Sequence, residues 1–254
     1  MTEIAQWADP HRHPGPARSG YARAPRALCV VLLAGWLGGA ASCAVAEERP
    51  QHGRHDATST HAFDDADRWS RVFDAPDRAE WQKPAEVAAA LEIRQGMVVA
   101  DIGAGTGYFL EHLAREAGPR GMVLAIDTEA EMVAHMGQRM ADAGVTNVVP
   151  VLALPGDPFL PPGRVDRILI VDTYHHIDDR LRYFGRLRDA LAPGGRVAII
   201  DFLKKPLPVG PPPEHKLERE FVLEEMIEAG WRLADEKKEL LPYQYFLIFE
   251  PGTE

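Results

Sequence analysis

The chain alternates two kinds of hydrophobic pattern from about residue 98 onward. Short apolar runs of strand length occur at 98–101, 122–127, 148–152, 165–172 and 191–201, and four of the five end in an aspartate: Asp101, Asp127, Asp172 and Asp201. Mainly apolar runs of this length, broken by Asp166 and Arg167 in the fourth and by the Pro193-Gly-Gly195 entry turn and Arg196 in the fifth, predict strands buried on both faces of a parallel sheet. Between them the apolar positions fall at helical spacing. Leu110, Leu113, Ala114 and Ala117 share one face, as do Met132, Met136 and Met140, then Leu181, Phe184, Leu187 and Leu191. The methionine stripe is read as core rather than as a methionine-rich contact surface. A last helix carries Leu223, Met226 and Ile227, and Gly230 is its stop signal. Two closing strands are expected at about 232–241 and 243–249, and a short helix at 85–91 follows Pro84. Strand–helix alternation of this kind predicts an α/β fold in which successive strand ends share one edge of the sheet, where ligands bind.

The turn after the first strand reads Asp101-Ile-Gly103-Ala104-Gly105-Thr-Gly107-Tyr108. Glycines are needed where the main chain adopts conformations that a Cβ forbids and where a ligand approaches bare backbone. A strand, a glycine turn and a helix N-terminus together make a nucleotide site. The spacing excludes the dinucleotide fingerprint, whose third glycine would fall at Tyr108 or Leu110. The stretch resembles motif I of the class I S-adenosylmethionine (SAM) dependent methyltransferases, in which the glycines approach the methionine part of the cofactor. Asp127 lies 20 residues beyond Gly107, a spacing that lets its carboxylate accept from both ribose hydroxyls; the other reading is a cap for the helix that follows.

Further words carry the same resemblance over roughly residues 80–250. Gly156-Asp157 before Leu160-Pro161 is similar to an element whose aspartate reaches the adenine amino group, although it is one residue short and holds Pro158 in place of alanine. Asp172-Thr-Tyr174-His175-His176 matches the segment beneath the methyl group, and Pro193-Gly-Gly195 matches the entry to strand five. The resemblance implies a Rossmann-like, doubly wound sheet of seven strands in the order 3-2-1-4-5-7-6, mostly parallel with an antiparallel C-terminal hairpin. It implies SAM as cofactor, held by Asp101, Gly103, Ala104, Gly105, Gly107, Tyr108, Asp127, Asp157 and Asp172. The implied activity is methyl transfer to a small-molecule acceptor, with His175 and His176 as candidate bases and Tyr174 and Asp172 as their neighbours. Residues 81–84 are read as part of a lid over the cofactor or as plain packing. Lys83-Pro-x-x-Val resembles the start of protein isoaspartate methyltransferases, whose serine-containing word is absent, so that activity is not adopted. Two alternatives come from other classes: a non-catalytic, envelope-tethered binding module, and an NAD(P)-dependent oxidoreductase, which lacks any Tyr-x-x-x-Lys pair here.

Composition changes the picture mainly at the front. Four arginines and two acids precede residues 27–46, which carry no charge. A basic stretch followed by an apolar one is an export signal, and residues 1–46 are read as a signal peptide or membrane anchor. Ala44-Val-Ala46 offers a cleavage site, Ala40-Ala-Ser-Cys43 resembles a lipobox, and an uncleaved anchor is the third reading. All three place the domain outside the cytoplasm, as an exported, periplasmic or membrane-anchored protein that meets the membrane only through this leader. Residues 47–62 are polar and without period, and are expected to be a flexible linker before a domain at 63–254. His52, His55 and His61 within it are read as solvated.

Both cysteines, Cys29 and Cys43, lie in the leader, so the domain has neither disulfide nor cysteine nucleophile. No metal site is expected, because neighbouring histidines diverge on any element and no acid completes a set. Without the leader the chain keeps 24 Lys and Arg against 36 Asp and Glu, which argues against nucleic acid as a partner. Pro206, Pro208, Pro211, Pro212 and Pro213 make the loop after strand five stiff, a candidate substrate rim or an inert loop.

Overall fold

The structure, a computed structural model, describes residues 55–58, 63 and 65–252. The leader at 1–46 and most of the expected linker lie outside these residues. The strands are β1 (Val98–Ile102), β2 (Met122–Asp127), β3 (Val148–Leu152), β4 (Val165–Val171), β5 (Leu191–Phe202), β6 (Trp231–Glu236) and β7 (Gln244–Pro251). They form one sheet in the order β3-β2-β1-β4-β5-β7-β6. The first five run parallel, and β7 is antiparallel to both β5 and β6. The order reverses between β1 and β4, so their C-terminal ends stand side by side at the switch point where α/β sheets bind ligands.

The helices are α1 (Ala66–Phe73), α2 (Arg78–Gln82), α3 (Pro84–Ala90), α4 (Leu110–Ala117), α5 (Ala130–Asp142), α6 (Arg180–Ala190) and α7 (Arg219–Glu228). Alternate strand residues feed two apolar layers. Val99, Val123, Ala125, Leu169 and Ile200 pack with α3, α4 and α5 through Val87, Leu113 and Met136. Ala100, Ile168, Ile170, Ile199 and Leu247 pack with α6 and α7 through Phe184, Leu187 and Met226. Burial on both faces is why the strands read as continuous apolar runs instead of alternating ones.

The structure refines the sequence expectation in three places. β5 begins at Leu191, because the Pro-Gly-Gly turn is carried as an irregularity between the pairs Val165–Leu191 and Arg167–Arg196. β6 stops at Glu236, five residues earlier than expected. Most notably, the described part of the expected linker is tied down. The Arg180 amide donates to the His55 carbonyl (3.1 Å), the Thr58 amide to the His175 carbonyl (2.8 Å), and the Ala57 amide to the Asp178 carboxylate (2.8 Å). His55 Nδ1 lies 2.6 Å from Glu225 Oε1. Polar bonds rather than an apolar face hold residues 55–58, which is why they show no hydrophobic period. No described helix is long and apolar enough to cross a membrane.

Candidate active site

The glycine turn is pinned to its neighbours by backbone bonds. The amides of Gly103 and Ala104 both donate to the Ile126 carbonyl of β2 (2.9 and 3.0 Å), and the Gly105 amide donates to Asp127 Oδ2 (2.8 Å). At Gly103, φ is +73° and a Cβ would overlap the Thr173 side chain of the β4 turn, so only glycine lets the two strand ends approach. Asp127 also takes the Glu129 amide on Oδ1 (3.0 Å), but it is not the cap of α5, whose N-cap residue is Glu129 and whose first turn receives no side-chain cap. Burial raises its pKa, against the lowering effect of the Glu129, Gly105 and Thr128 amides. Each carboxylate oxygen has a second lone pair for a further donor.

Asp101 is different. It is 2% exposed, and its Oδ2 has no hydrogen-bond partner. Burial first, and the charge of Asp127 second, push its pKa up to about 7, with the Arg78 cation pulling the other way. A buried carboxylate oxygen without a donor is the feature a cationic ligand group would satisfy.

The segment before β1 covers this turn. Thr106 Oγ1 donates to Asp74 Oδ1 (3.1 Å), and Arg139 Nη1 of α5 reaches the same oxygen (3.0 Å). Trp69 meets Phe63 edge-on at 4.8 Å and stacks on Phe73 at 5.3 Å, and a Cβ on Gly105 would lie 3.7 Å from the Phe73 ring. The Arg78 guanidinium lies over the Tyr108 ring, 4.1 Å from its centroid.

Across the switch point the polar groups are mutually engaged. Asp172, held at φ +52°, accepts from Gln244 Nε2 (2.6 Å); Gln82 Nε2 donates to Gln244 Oε1 (2.7 Å), and Arg78 Nε to Gln82 Oε1 (3.2 Å). Burial and the neighbouring Asp201 raise the Asp172 pKa. His175 is buried with Nδ1 2.8 Å from Asp201 Oδ2. Burial lowers its pKa, but the charge and hydrogen bond of Asp201, with Asp172 behind them, outweigh that and leave it raised. Tyr174 is fully buried and donates to Glu225 Oε2 (2.6 Å), which Arg180 Nε also contacts (2.8 Å).

The structure thus brings Asp101, Gly103, Ala104, Gly105, Gly107, Tyr108, Asp127 and Asp172 to one edge of the sheet. It separates the other candidates. Tyr174 and His175 turn inward to Glu225 and Asp201, while His176 is half-buried with its ring edge-on to Phe63 at 5.6 Å. Asp157 accepts from its own turn at the Phe159 amide (2.9 Å) and faces Tyr183 of α6, whose hydroxyl pKa is raised by burial and then by Asp157. The sequence reading missed Asp74, Arg78, Thr106, Arg139 and Gln244. Only the four-residue spacing of Arg78 and Gln82, one helical turn, hinted at a contact.

These residues fit SAM. Asp127 suits the ribose diol, the glycine turn admits a ligand against bare backbone, and the orphaned Asp101 oxygen suits a cation. Residues 100–197 match the family model described as a methyltransferase domain. The chain is similar to the ubiquinone/menaquinone biosynthesis C-methyltransferase UbiE of Bordetella avium (strain 197N), 29% identical over 47% of this chain and 46% of that protein. It is 30% identical to the UbiE of Ralstonia pickettii (strain 12J), over 46% of this chain and 47% of that one. It spans about half the length of these curated relatives. A solved structure of a SAM-dependent methyltransferase from Aquifex aeolicus superposes with a TM-score of 0.69 at 29% identity, covering 73% of this chain and 97% of that one. Sheet order, glycine turn and these likenesses agree: the chain has the class I methyltransferase fold, its residues 100–197 match a methyltransferase domain, and fold and domain imply SAM as cofactor.

Proposed function

We propose that this protein transfers the methyl group of SAM to a small acceptor bearing an aromatic ring. The observation that carries the reading is the orphaned, buried Asp101 oxygen beside the glycine turn and Asp127, a site for a cationic nucleoside. The ring is supported by an aromatic cluster at the end of β5, where Trp81 stands 5.8 Å from Phe202 and 6.2 Å from Tyr243. The names of the UbiE relatives, which refer to quinone biosynthesis, point the same way.

When bound, SAM supplies an electrophilic methyl on a positively charged sulfur. What remains for the protein is to orient the acceptor, worth up to about 7–11 kcal/mol, and to receive the proton the acceptor loses. In this reading His176 receives it, being half-buried beside Phe63, whereas His175 holds its place through Asp201. The leader supports an exported, periplasmic or membrane-anchored location, and the acidic balance speaks against nucleic acid.

The test is transfer of labelled methyl from SAM to a panel of phenols and quinols, with aliphatic alcohols and amines as controls. Label should enter the aromatic acceptors only, and His176→Ala should slow transfer by about 10²- to 10⁴-fold with SAM affinity unchanged. Label in the aliphatic controls alone would refute the aromatic acceptor, and full activity of His176→Ala would remove the base.

A further inference from the structure

Arg78 enters the cofactor site from α2, outside every glycine-turn or strand-end position. Its Nη1 donates to the Phe73 carbonyl and its Nε to Gln82, and no described residue accepts from Nη2. Three carboxylates act on its charge, Asp74 of the cap, Asp101 of β1 and Asp172 after β4, yet none forms an ion pair with it among the described residues. Asp74 is taken by Arg139 and Thr106, and Asp172 by Gln244. Asp101 keeps one buried oxygen with no donor. A guanidinium with unused donors and a carboxylate with an unused acceptor therefore lie close enough to feel each other's charge, yet share no hydrogen bond or ion pair among the described residues.

That arrangement selects a particular ligand charge pattern. A lone anion drawn to Arg78 would sit among three carboxylates, and a lone cation drawn to Asp101 would meet the guanidinium. A zwitterion with both charges on one carbon answers both groups at once, and such a group forms the amino-acid end of SAM. We propose that Arg78 is the receptor for the cofactor's α-carboxylate, working opposite Asp101 on the α-ammonium, so that the α1–α2 cap closes on the zwitterion. The guanidinium is prepared for this: it lies over the Tyr108 ring, and its Nε and Nη1 each already hold an acceptor, which restricts its plane.

The inference rests on SAM as the cofactor, and its test keeps the two apart. Calorimetry with SAM and with decarboxylated SAM, which retains the adenosine, sulfonium and ammonium, measures what the carboxylate alone adds. The intact protein should prefer SAM by about ten- to hundredfold, a range usual for one charged hydrogen-bonded group. In Arg78→Gln the preference should collapse to less than about threefold through loss of SAM affinity alone, and Arg78→Lys should retain part of it. A merely structural role for Arg78 would weaken both ligands in parallel and leave their ratio intact, which overturns the proposal. So would equal binding of the two ligands by the intact protein. Should neither bind it, the cofactor reading falls as well, whereas a ratio that survives the substitutions removes only the role of Arg78.

Discussion

Two pairs of aspartates end neighbouring strands and meet opposite fates. Asp172 and Asp201, after β4 and at the end of β5, are each answered by a side chain of the protein, Gln244 for the first and His175 for the second, with the Phe202 amide on the other Asp201 oxygen. At the ends of β1 and β2, Asp127 is answered by backbone amides, and one buried oxygen of Asp101 is answered by nothing. Native proteins rarely leave a buried oxygen without a donor, so the β1–β2 end is shaped for a ligand. The β4–β5 end holds the turn that faces it. Its polar network extends beneath, through Tyr174, Arg180 and Glu225, to His55 of the docked N-terminal strap.

The comparison breaks first on stability. Glu225 is 2% exposed and sits between the wholly buried Arg180 and the Tyr174 hydroxyl. Glu225→Ala removes the buried carboxylate that both Arg180 Nε and the Tyr174 hydroxyl contact, and should destabilise the fold by about 3–5 kcal/mol in urea unfolding. A wild-type midpoint and slope would mean the network is not closed by protein. The effect on cofactor affinity of the folded variant should be small, since the damage lies at the other end.

At the β1–β2 end the balance reverses. Asp127→Ala should weaken SAM by about 1.5–3 kcal/mol, roughly ten- to hundredfold, as hydrogen bonds to a charged group usually do. Calorimetry with SAM measures this, and an unchanged affinity would show that Asp127 serves only the Gly105 and Glu129 amides.

How far the sequence revealed this division depends on the range of the interactions involved. Strand ends and the glycine turn were legible because they rest on local patterns: apolar runs that close on Asp101, Asp127 and Asp172, and glycines at fixed spacing. Tyr174 and His175 sit in a polar word that reads as chemistry. What turns them inward are Glu225 and Asp201, 51 and 26 residues further on, and no local spacing encodes such pairings. His55 to Thr58 escaped for a related reason, since a four-residue stretch with one apolar residue, held by hydrogen bonds, has no period. Arg78 was hidden because a lone arginine in a polar stretch looks solvated until the β1 and β4 ends are placed next to it.

The smallest expected effect is also the one most specific to the unsatisfied oxygen. Asp101 in the ligand-free site has a pKa of about 7, raised by burial and by Asp127. Binding a cation stabilises the ionised form and lowers that pKa, so binding releases a proton wherever the free site still holds one. The sign follows. Above pH 7 the carboxylate is already ionised and affinity is level; as pH falls through 7 the proton must first be displaced, and SAM affinity should drop, approaching about tenfold per unit. Asp74, Asp127, Asp172, Tyr108 and Arg78 surround the site, and other groups titrate within it, so the decisive measurement is a difference. Asp101→Asn has no proton to release and should lose this slope below pH 7, binding SAM more weakly than the intact protein at pH 8 and nearly as well at pH 5.5. If both proteins show the same pH profile, the proton belongs to another group, and Asp101 does not carry the cation.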